Sequence, residues 1–460
     1  MSRRKVLVLA VPAIGLLALL ILGLSARRAT TKFIWRVMPS AIGEIRRRRE
    51  GVLPPALTTN QYRLNVRELV LPFEEEGTEM SGPIDIVSDR ALYVLTQSGR
   101  MFEVQADGAD FMSSGGRDTI TKIGSLGWSQ SGATPPEGFG FKGLRCPSPS
   151  DCFASFVGPD AEHACMFLQI VRLARGPDGM FAVDRSLFRS PCAKTTGSRA
   201  ALTSGGELAL RADGTLLATV GDFALGDPLE PNDVASDMST TLGKVISINL
   251  SSGAVEVFTR GHRNSQGLYV SANRGVVFAT EQGPQGGDEL NLLSAGGHYG
   301  WPHSTYGHMY STLLPGASTS TDFSSRLAAA LGSRPLGRDF GSHVTGVKPL
   351  LAWVPSIGIS RMLEYECAPG DGSTQDSRGR AQGAAELSAW CGNLLIASLR
   401  GQTLHRVVLA SEPDGTAMRV VVDEPIPLGR RMRGIRRFSN GSLVVKTDLP
   451  SLVFLWRLGT

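Results

Sequence analysis

Charge is scarce in this chain: Asp, Glu, Lys and Arg make up 19% of 460 residues. The basic excess is a formal +5, and it is local. Arg27, Arg28, Lys32, Arg36 and the run 46–49 carry it, and the remainder is close to neutral. No basic face is left over for a nucleic-acid backbone, whose recognition needs one. Cysteine is limited to six residues, with no Cys-x-x-Cys pair and no Cys/His spacing of the kind that holds zinc. Seven histidines are present, so few positions can supply an imidazole base. No sequence repeat with a period of roughly 20–50 residues stands out, so a repeated architecture would have to be written in pattern alone.

Glycine, by contrast, is abundant at 54 residues. From Leu64 onward short alternating apolar runs are separated by Asx-Gly and Ser-Gly turns, which predicts an all-β body. Hairpins are expected over 83–104, 206–221, 243–258, 267–283, 393–409 and 433–448, with a last strand over 452–458. Many short strands with such turns favour a propeller or a sandwich. The stretch 305–343 is Ser/Gly-rich, has a brief helical pattern over 323–331, and reads as a long insertion.

The first 28 residues are of another kind. Three basic residues precede an uncharged run of 19, residues 6–24, long enough to cross a bilayer as a helix. It is expected to be a signal anchor or a cleaved signal peptide, with 24–26 as a poor cleavage site. Residues 29–60 form a basic juxtamembrane segment and linker, either solvated or drawn to anionic headgroups. Residues 61–460 form the β body. Eight basic residues follow the apolar run and favour a cytoplasmic body, but large domains translocate largely regardless of charge. Cys146 and Cys152 are close in sequence, Cys165 and Cys192 bracket an expected hairpin, and Cys367 and Cys391 flank a polar insert. That is one of about 15 possible connectivities. Disulfides imply an oxidising compartment, so the body is expected in the periplasm or outside the cell, tethered to the membrane.

The densest chemistry lies in 261–302. It holds Gly261-His262-Arg263-Asn264-x-Gln266-Gly267, then Glu281-Gln282-Gly283-Pro284, then Asp288-Glu289, then Gly297-x-Tyr299-Gly300-Trp301-Pro302. Two alternating runs inside it, 267–270 and 275–280, predict a hairpin with polar groups at its ends. These four ordered words resemble the soluble quinoprotein glucose dehydrogenase and aldose sugar dehydrogenase family, also called glucose/sorbosone dehydrogenases. Weaker similarity runs from about Gly205 to the C-terminus.

The resemblance implies a six-bladed β-propeller that holds pyrroloquinoline quinone (PQQ) and calcium and oxidises a sugar or alcohol. It places Arg263 and Asn264 on the quinone. Gln282, Gly283 and Pro284 would supply an amide and calcium-binding carbonyls. A family Lys becomes Arg400 in Ser398-Leu399-Arg400. Arg431 and Arg433 keep both arginines of an Arg-x-Arg-Asp word, while Gly434 replaces its Asp. Ser356, in Trp353-Val354-Pro355-Ser356, falls in a word that lines the cofactor slot. Arginine suits the three carboxylates of PQQ because its planar fork bonds them in pairs. Asp288, Glu289 and Tyr299, with Gly283 and Pro284, match calcium positions, and oxygen donors suit that ion.

One departure concerns the chemistry. The family's general-base histidine precedes a Gly-Gly-x-Leu strand, here Gly205-Gly206-Glu207-Leu208, and its position falls on Thr203 after Leu202. Threonine is no base at neutral pH. A family Gln falls on Phe141. His303, His308 and His343 lie in or near the insertion as alternative bases. The expected function is PQQ-dependent sugar oxidation; the alternative is a propeller that binds cofactor, calcium or carbohydrate without turnover.

Overall fold

The structure, a computed structural model, describes residues 53–71, 82–107, 111–112, 118–127, 138–195, 198–226, 233–284, 286–307, 343, 345–367, 387–411 and 417–458. The expected N-terminal span, residues 6–24, lies outside these, as do most of the insertion 305–343 and its helical pattern. Among the described residues no helix is long and apolar enough to cross a membrane.

The body is all-β, and its strands group into six antiparallel meanders. The first is β3 (Ile84–Ser88), β4 (Ala91–Leu95), β5 (Arg100–Gln105) and β6 (Thr119–Ser125). The second is β7 (Gly140–Ser148), β8 (Asp151–Asp160), β9 (Cys165–Arg175) and β10 (Phe181–Arg189). Then come β11 (Gly205–Leu210) to β14 (Val255–Arg260), with β12 (Thr215–Val220) and β13 (Lys244–Asn249) between them. β15 (Ser265–Ser271), β16 (Val276–Glu281), β17 (Asp288–Leu293) and β18 (Leu351–Trp353) make the fourth. The fifth is β19 (Ile359–Glu364), β20 (Leu394–Ser398), β21 (Thr403–Ser411) and β22 (Met418–Pro427). The sixth is β23 (Met432–Arg437), β24 (Leu443–Thr447) and β25 (Ser451–Arg457). The first strands of successive meanders pack side by side, and β23 packs back on β3, so six innermost strands close a ring. This is a β-propeller.

The ring is closed from the N-terminal side. β2 (Arg63–Val70) pairs with β25 from Leu64↔Arg457 to Val70↔Ser451, and β1 (Ala56–Thr58) pairs with β2. β1 falls in the stretch expected as linker, because Leu57 buries its side chain in the core beside Leu64 and Leu443. The hairpins predicted from the turn residues form at the expected places. Between β11 and β12, for example, Asp213 Oδ1 accepts the Thr215 N–H at 2.9 Å and Gly214 takes a positive φ of 80°. A joint not anticipated fuses the first two meanders into one eight-stranded sheet. β6 and β10 meet in parallel at Phe181↔Gly124, where a Cβ on Gly124 would lie 3.2 Å from the Phe181 carbonyl oxygen.

Central strands are nearly all apolar: β4, β20 and β24 are buried along their whole length, and the polar residues Ser398, Lys446 and Thr447 among them have their polar groups bonded. The innermost strands instead carry buried charges around the axis, each with a partner. Arg361 bonds Glu207, and Arg436 donates to Asp85 at 2.9 Å. All six cysteines are oxidised, in the pairs Cys146–Cys152, Cys165–Cys192 and Cys367–Cys391.

Candidate active site

The turns that lead into β11, β15 and β19 converge at one end of the ring, together with the turns that follow β16 and β20. A cavity of about 560 Å³ lies among these turns. A short helix, α1 (Ser198–Leu202), leads into β11 and brings Leu202 and Thr203 to its wall. The β14–β15 turn brings Arg263 and Asn264. The segment between β16 and β17 brings Gln282, Gly283, Pro284 and Asp288; that between β18 and β19 brings Ser356 and Gly358; and the turn after β20 brings Arg400. Nine residues expected at a cofactor, calcium or base position thus meet at one cavity from five segments of chain, counting Thr203 and Asp288 but not Leu202 or Gly358.

Glycine is required at the first turn. Gly261 has φ 78°, and a Cβ there would stand 2.9 Å from the backbone nitrogens of Tyr299 and Gly300. Beyond it, Arg263 is fixed on several sides. Its N–H donates to Glu281 Oε1 at 2.5 Å, and its Nη1 donates to the carbonyls of Gln282 and Gly283 at 2.9 and 3.0 Å. Its guanidinium carbon stands 5.6 Å from the centre of the Trp301 ring. The two amides are locked together: Asn264 Nδ2 donates to Gln282 Oε1 at 3.0 Å, and Gln282 Nε2 donates to the Ile359 carbonyl at 2.8 Å.

Asp288 Oδ2 accepts from Ser356 Oγ at 2.7 Å and from the Ile359 N–H at 2.9 Å, while Oδ1 accepts from the Gly283 N–H at 3.2 Å. Burial pushes its pKa up against these hydrogen bonds. Glu289, next along the strand, points to the other face. There it accepts from Asn291 Nδ2 at 3.2 Å, and His343 stands 3.7 Å away. Burial, then the nearby Glu281 charge, pushes Glu289 well up. Burial also pushes Glu281 upward, but the His262 charge and hydrogen bonds from His262, Arg263 and Ser265 bring it below its usual value. Tyr299 spends its hydroxyl on the Leu292 carbonyl at 2.7 Å and accepts from the Ser294 N–H at 2.9 Å. Asp288, Glu289 and Tyr299 therefore have no hydrogen-bond partner in common.

Arg431 and Arg433 are not among the cavity residues; both bond Asp448. Trp353 also stays in the core, donating to Asp423 at 2.8 Å, so Ser356 alone of its word reaches the wall. Phe141 is buried against Phe156. Thr203 donates its hydroxyl to the Ala200 carbonyl at 3.1 Å. Among the described residues no histidine lines the cavity. His303 pairs with Asp233 in an exposed contact, His343 is buried beside Glu289, and His308 lies outside the described residues. Gly358, which carried no signal in the sequence, lines the wall because the Ser356–Gly358 turn accepts the Gly358 N–H on Ser356 Oγ at 3.1 Å.

A family model described as glucose / sorbosone dehydrogenase matches residues 184–453. The chain belongs to the glucose/sorbosone dehydrogenase family. This family member is 30% identical over 264 residues to an uncharacterized protein of Synechocystis, covering 53% of each chain. It is 24% identical over 280 residues to the aldose sugar dehydrogenase YliI of Escherichia coli, covering 58% of this chain and 62% of that one. It is 42% identical to quinoprotein glucose dehydrogenase B of Acinetobacter calcoaceticus over 78 residues, 15% of this chain and 16% of that one. These matches thus span less than two thirds of each relative's length. In structure, the apo-form of the soluble aldose sugar dehydrogenase from Escherichia coli superposes with a TM-score of 0.60 at 19% identity, over 86% of this chain and all of that one. That likeness establishes the propeller.

Proposed function

We propose that this glucose/sorbosone dehydrogenase family member holds PQQ in the cavity and oxidises a hydroxyl of an aldose or another small alcohol. The observation that carries the reading is the convergence of two guanidinium groups, Arg263 and Arg400, with the amides of Asn264 and Gln282 on one cavity of about 560 Å³. That size is ordinary for a small-molecule site, for which roughly 300–1,000 Å³ is typical. The donors suit a planar polycarboxylate. A quinoprotein among the relatives and an aldose dehydrogenase among them point to the same cofactor and substrate class. When bound, PQQ supplies an ortho-quinone that accepts two electrons.

On this reading Arg263 and Arg400 would hold carboxylate or quinone oxygens, and the locked Asn264–Gln282 pair would present its amides beside them. Ser356 already spends its proton on Asp288, so toward the cavity it offers an acceptor. The carbonyls of Gln282 and Gly283 converge on a cation, the Arg263 Nη1. Calcium on those two oxygens would require Arg263 to turn aside. Among the described residues no imidazole lines the cavity to receive the substrate proton, and Thr203 is inert at the base position, so slow turnover is expected. The three disulfides support a body exported from the cytoplasm, with residues 6–24 as its tether.

Calorimetric titration with PQQ in the presence of Ca²⁺ tests the reading. Saturable binding that weakens in Arg263→Ala and Arg400→Ala supports it. Absence of binding in the wild type, at concentrations that saturate an authentic aldose sugar dehydrogenase, refutes it.

A further inference from the structure

Asp222 has no role in the account so far. It follows β12 on the turn 221–226 and is fully buried. Its Oδ2 accepts from Trp301 Nε1 at 2.8 Å, and its Oδ1 accepts from the Ala224 N–H at 2.9 Å. Its own N–H donates to the Arg263 carbonyl at 2.9 Å. The same Trp301 indole meets the Arg263 guanidinium, whose carbon is 5.6 Å from the ring centre. One indole therefore bonds a carboxylate through its edge and a guanidinium through its ring. There is little slack: a Cβ on Gly226 would stand 2.5 Å from Trp301 Nε1 and 2.8 Å from Asp222 Oδ2.

We propose that Asp222 is a positioning residue for Arg263: its carboxylate fixes the Trp301 indole, and the indole with the buried negative charge holds the guanidinium at the cavity wall. A buried carboxylate is costly unless it is paired or hydrogen-bonded. Arg263 is the charged group that acts on it; Trp301, Ala224, Gly226 and the Thr203 backbone around it are neutral. The consequence for a cofactor rests on the reading above, but the hold on Arg263 does not.

The arrangement also has a pH sense. Burial pushes Asp222 up to about 6, against the pull of Arg263 and its hydrogen bonds. Above that value the carboxylate is ionised, accepts strongly from Trp301 and attracts Arg263. Below it a neutral acid does both less well, so the hold weakens as pH falls through about 6.

Arginine-selective modification with phenylglyoxal, mapped by peptide mass spectrometry, reads the hold without any cofactor. Arg400 is exposed and serves as the internal reference. The expected result is that Asp222→Asn raises the Arg263/Arg400 modification ratio by about tenfold, the loss of one charge-assisted contact. Trp301→Phe keeps a ring but has no N–H, so it gives a comparable rise, and the double variant adds little to either. Should Asp222→Asn not fold, Trp301→Phe decides alone. In the wild type the ratio rises as pH is lowered through about 6, and in Asp222→Asn it is flat. An unchanged ratio in both single variants, or independent effects that multiply in the double, overturns the proposal. A wild type that binds no PQQ, yet whose ratio still responds to Asp222→Asn, removes the cofactor reading and leaves this one standing.

Discussion

Arg433 donates its Nε to Asp448 at 2.6 Å, and Arg431 donates to the other oxygen of the same carboxylate at 2.8 Å. The carboxylate missing after Arg433 in the sequence is thus supplied from the far end of the β23–β24 hairpin. Burial pushes Asp448 upward, but the two arginines overcome it and hold the carboxyl well below the usual carboxylate range. A depressed carboxylate stabilises the fold above its unfolded pKa, ~3.9, and that contribution is lost as pH falls below it toward the folded value. Removing one member of a buried pair strands the others, so Asp448→Asn should destabilise the protein by about 3 kcal/mol. Denaturant unfolding at pH 7 and at pH 3 measures it. The difference between wild type and variant should shrink at the lower pH.

The same geometry separates the four arginines. Arg263 and Arg400 line the cavity, whereas Arg431 and Arg433 are committed to Asp448. Arg263→Ala and Arg400→Ala should each weaken PQQ binding by roughly one to two orders of magnitude, the worth of a charge-assisted contact. Arg431→Ala should weaken it less, while lowering thermal stability more. Calorimetry and melting curves on the three variants check this. Equal affinity losses in all three would place Arg431 on the ligand.

Thr203 sits at the cavity wall with its hydroxyl turned to the Ala200 carbonyl, and Leu202 stands beside it. Restoring an imidazole there should raise sugar oxidation, by up to ~10²–10⁴-fold if the ring is well oriented. Leu202→Asp combined with Thr203→His is the better form, because a carboxylate orients the ring. Rates of PQQ-loaded protein with an aldose decide it. A fast wild type that is unaffected by changing Thr203 would show that another group takes the proton.

Much of the site was legible in the sequence because its residues cluster in short words beside turns. Arg263 and Asn264 follow one glycine corner, Gln282 to Pro284 form another, and both corners top adjacent strands of one sheet. Local order therefore became spatial order. The hairpins were legible for the same reason, since turn residues and alternation are local signals. What escaped was long-range. Nothing near Arg431 announces Asp448, nothing near Asp222 announces Trp301 79 residues on, and the pairing of β2 with β25 joins opposite ends of the body. Asp288 and Glu289 read as one acidic pair, yet in an extended strand neighbours face apart.

All six cysteines are paired, so unreduced, denatured protein should show no free thiols. The Cys367–Cys391 bond closes a loop across 24 positions. Replacing both by Ser should cost about 3 kcal/mol, chiefly by freeing the unfolded chain. Thiol titration and denaturant unfolding of the double variant check the two statements. Free thiols in freshly purified native protein would contradict the pairing.

Absorption spectroscopy of the purified wild type, titrated with PQQ in the presence of Ca²⁺ and then given an aldose, tests the central claim most directly. The account predicts a saturable bound-quinone band, weakened in Arg263→Ala, that bleaches slowly when the sugar is added. A wild type with no saturable band, or a bound quinone that no aldose or small alcohol bleaches, would contradict it.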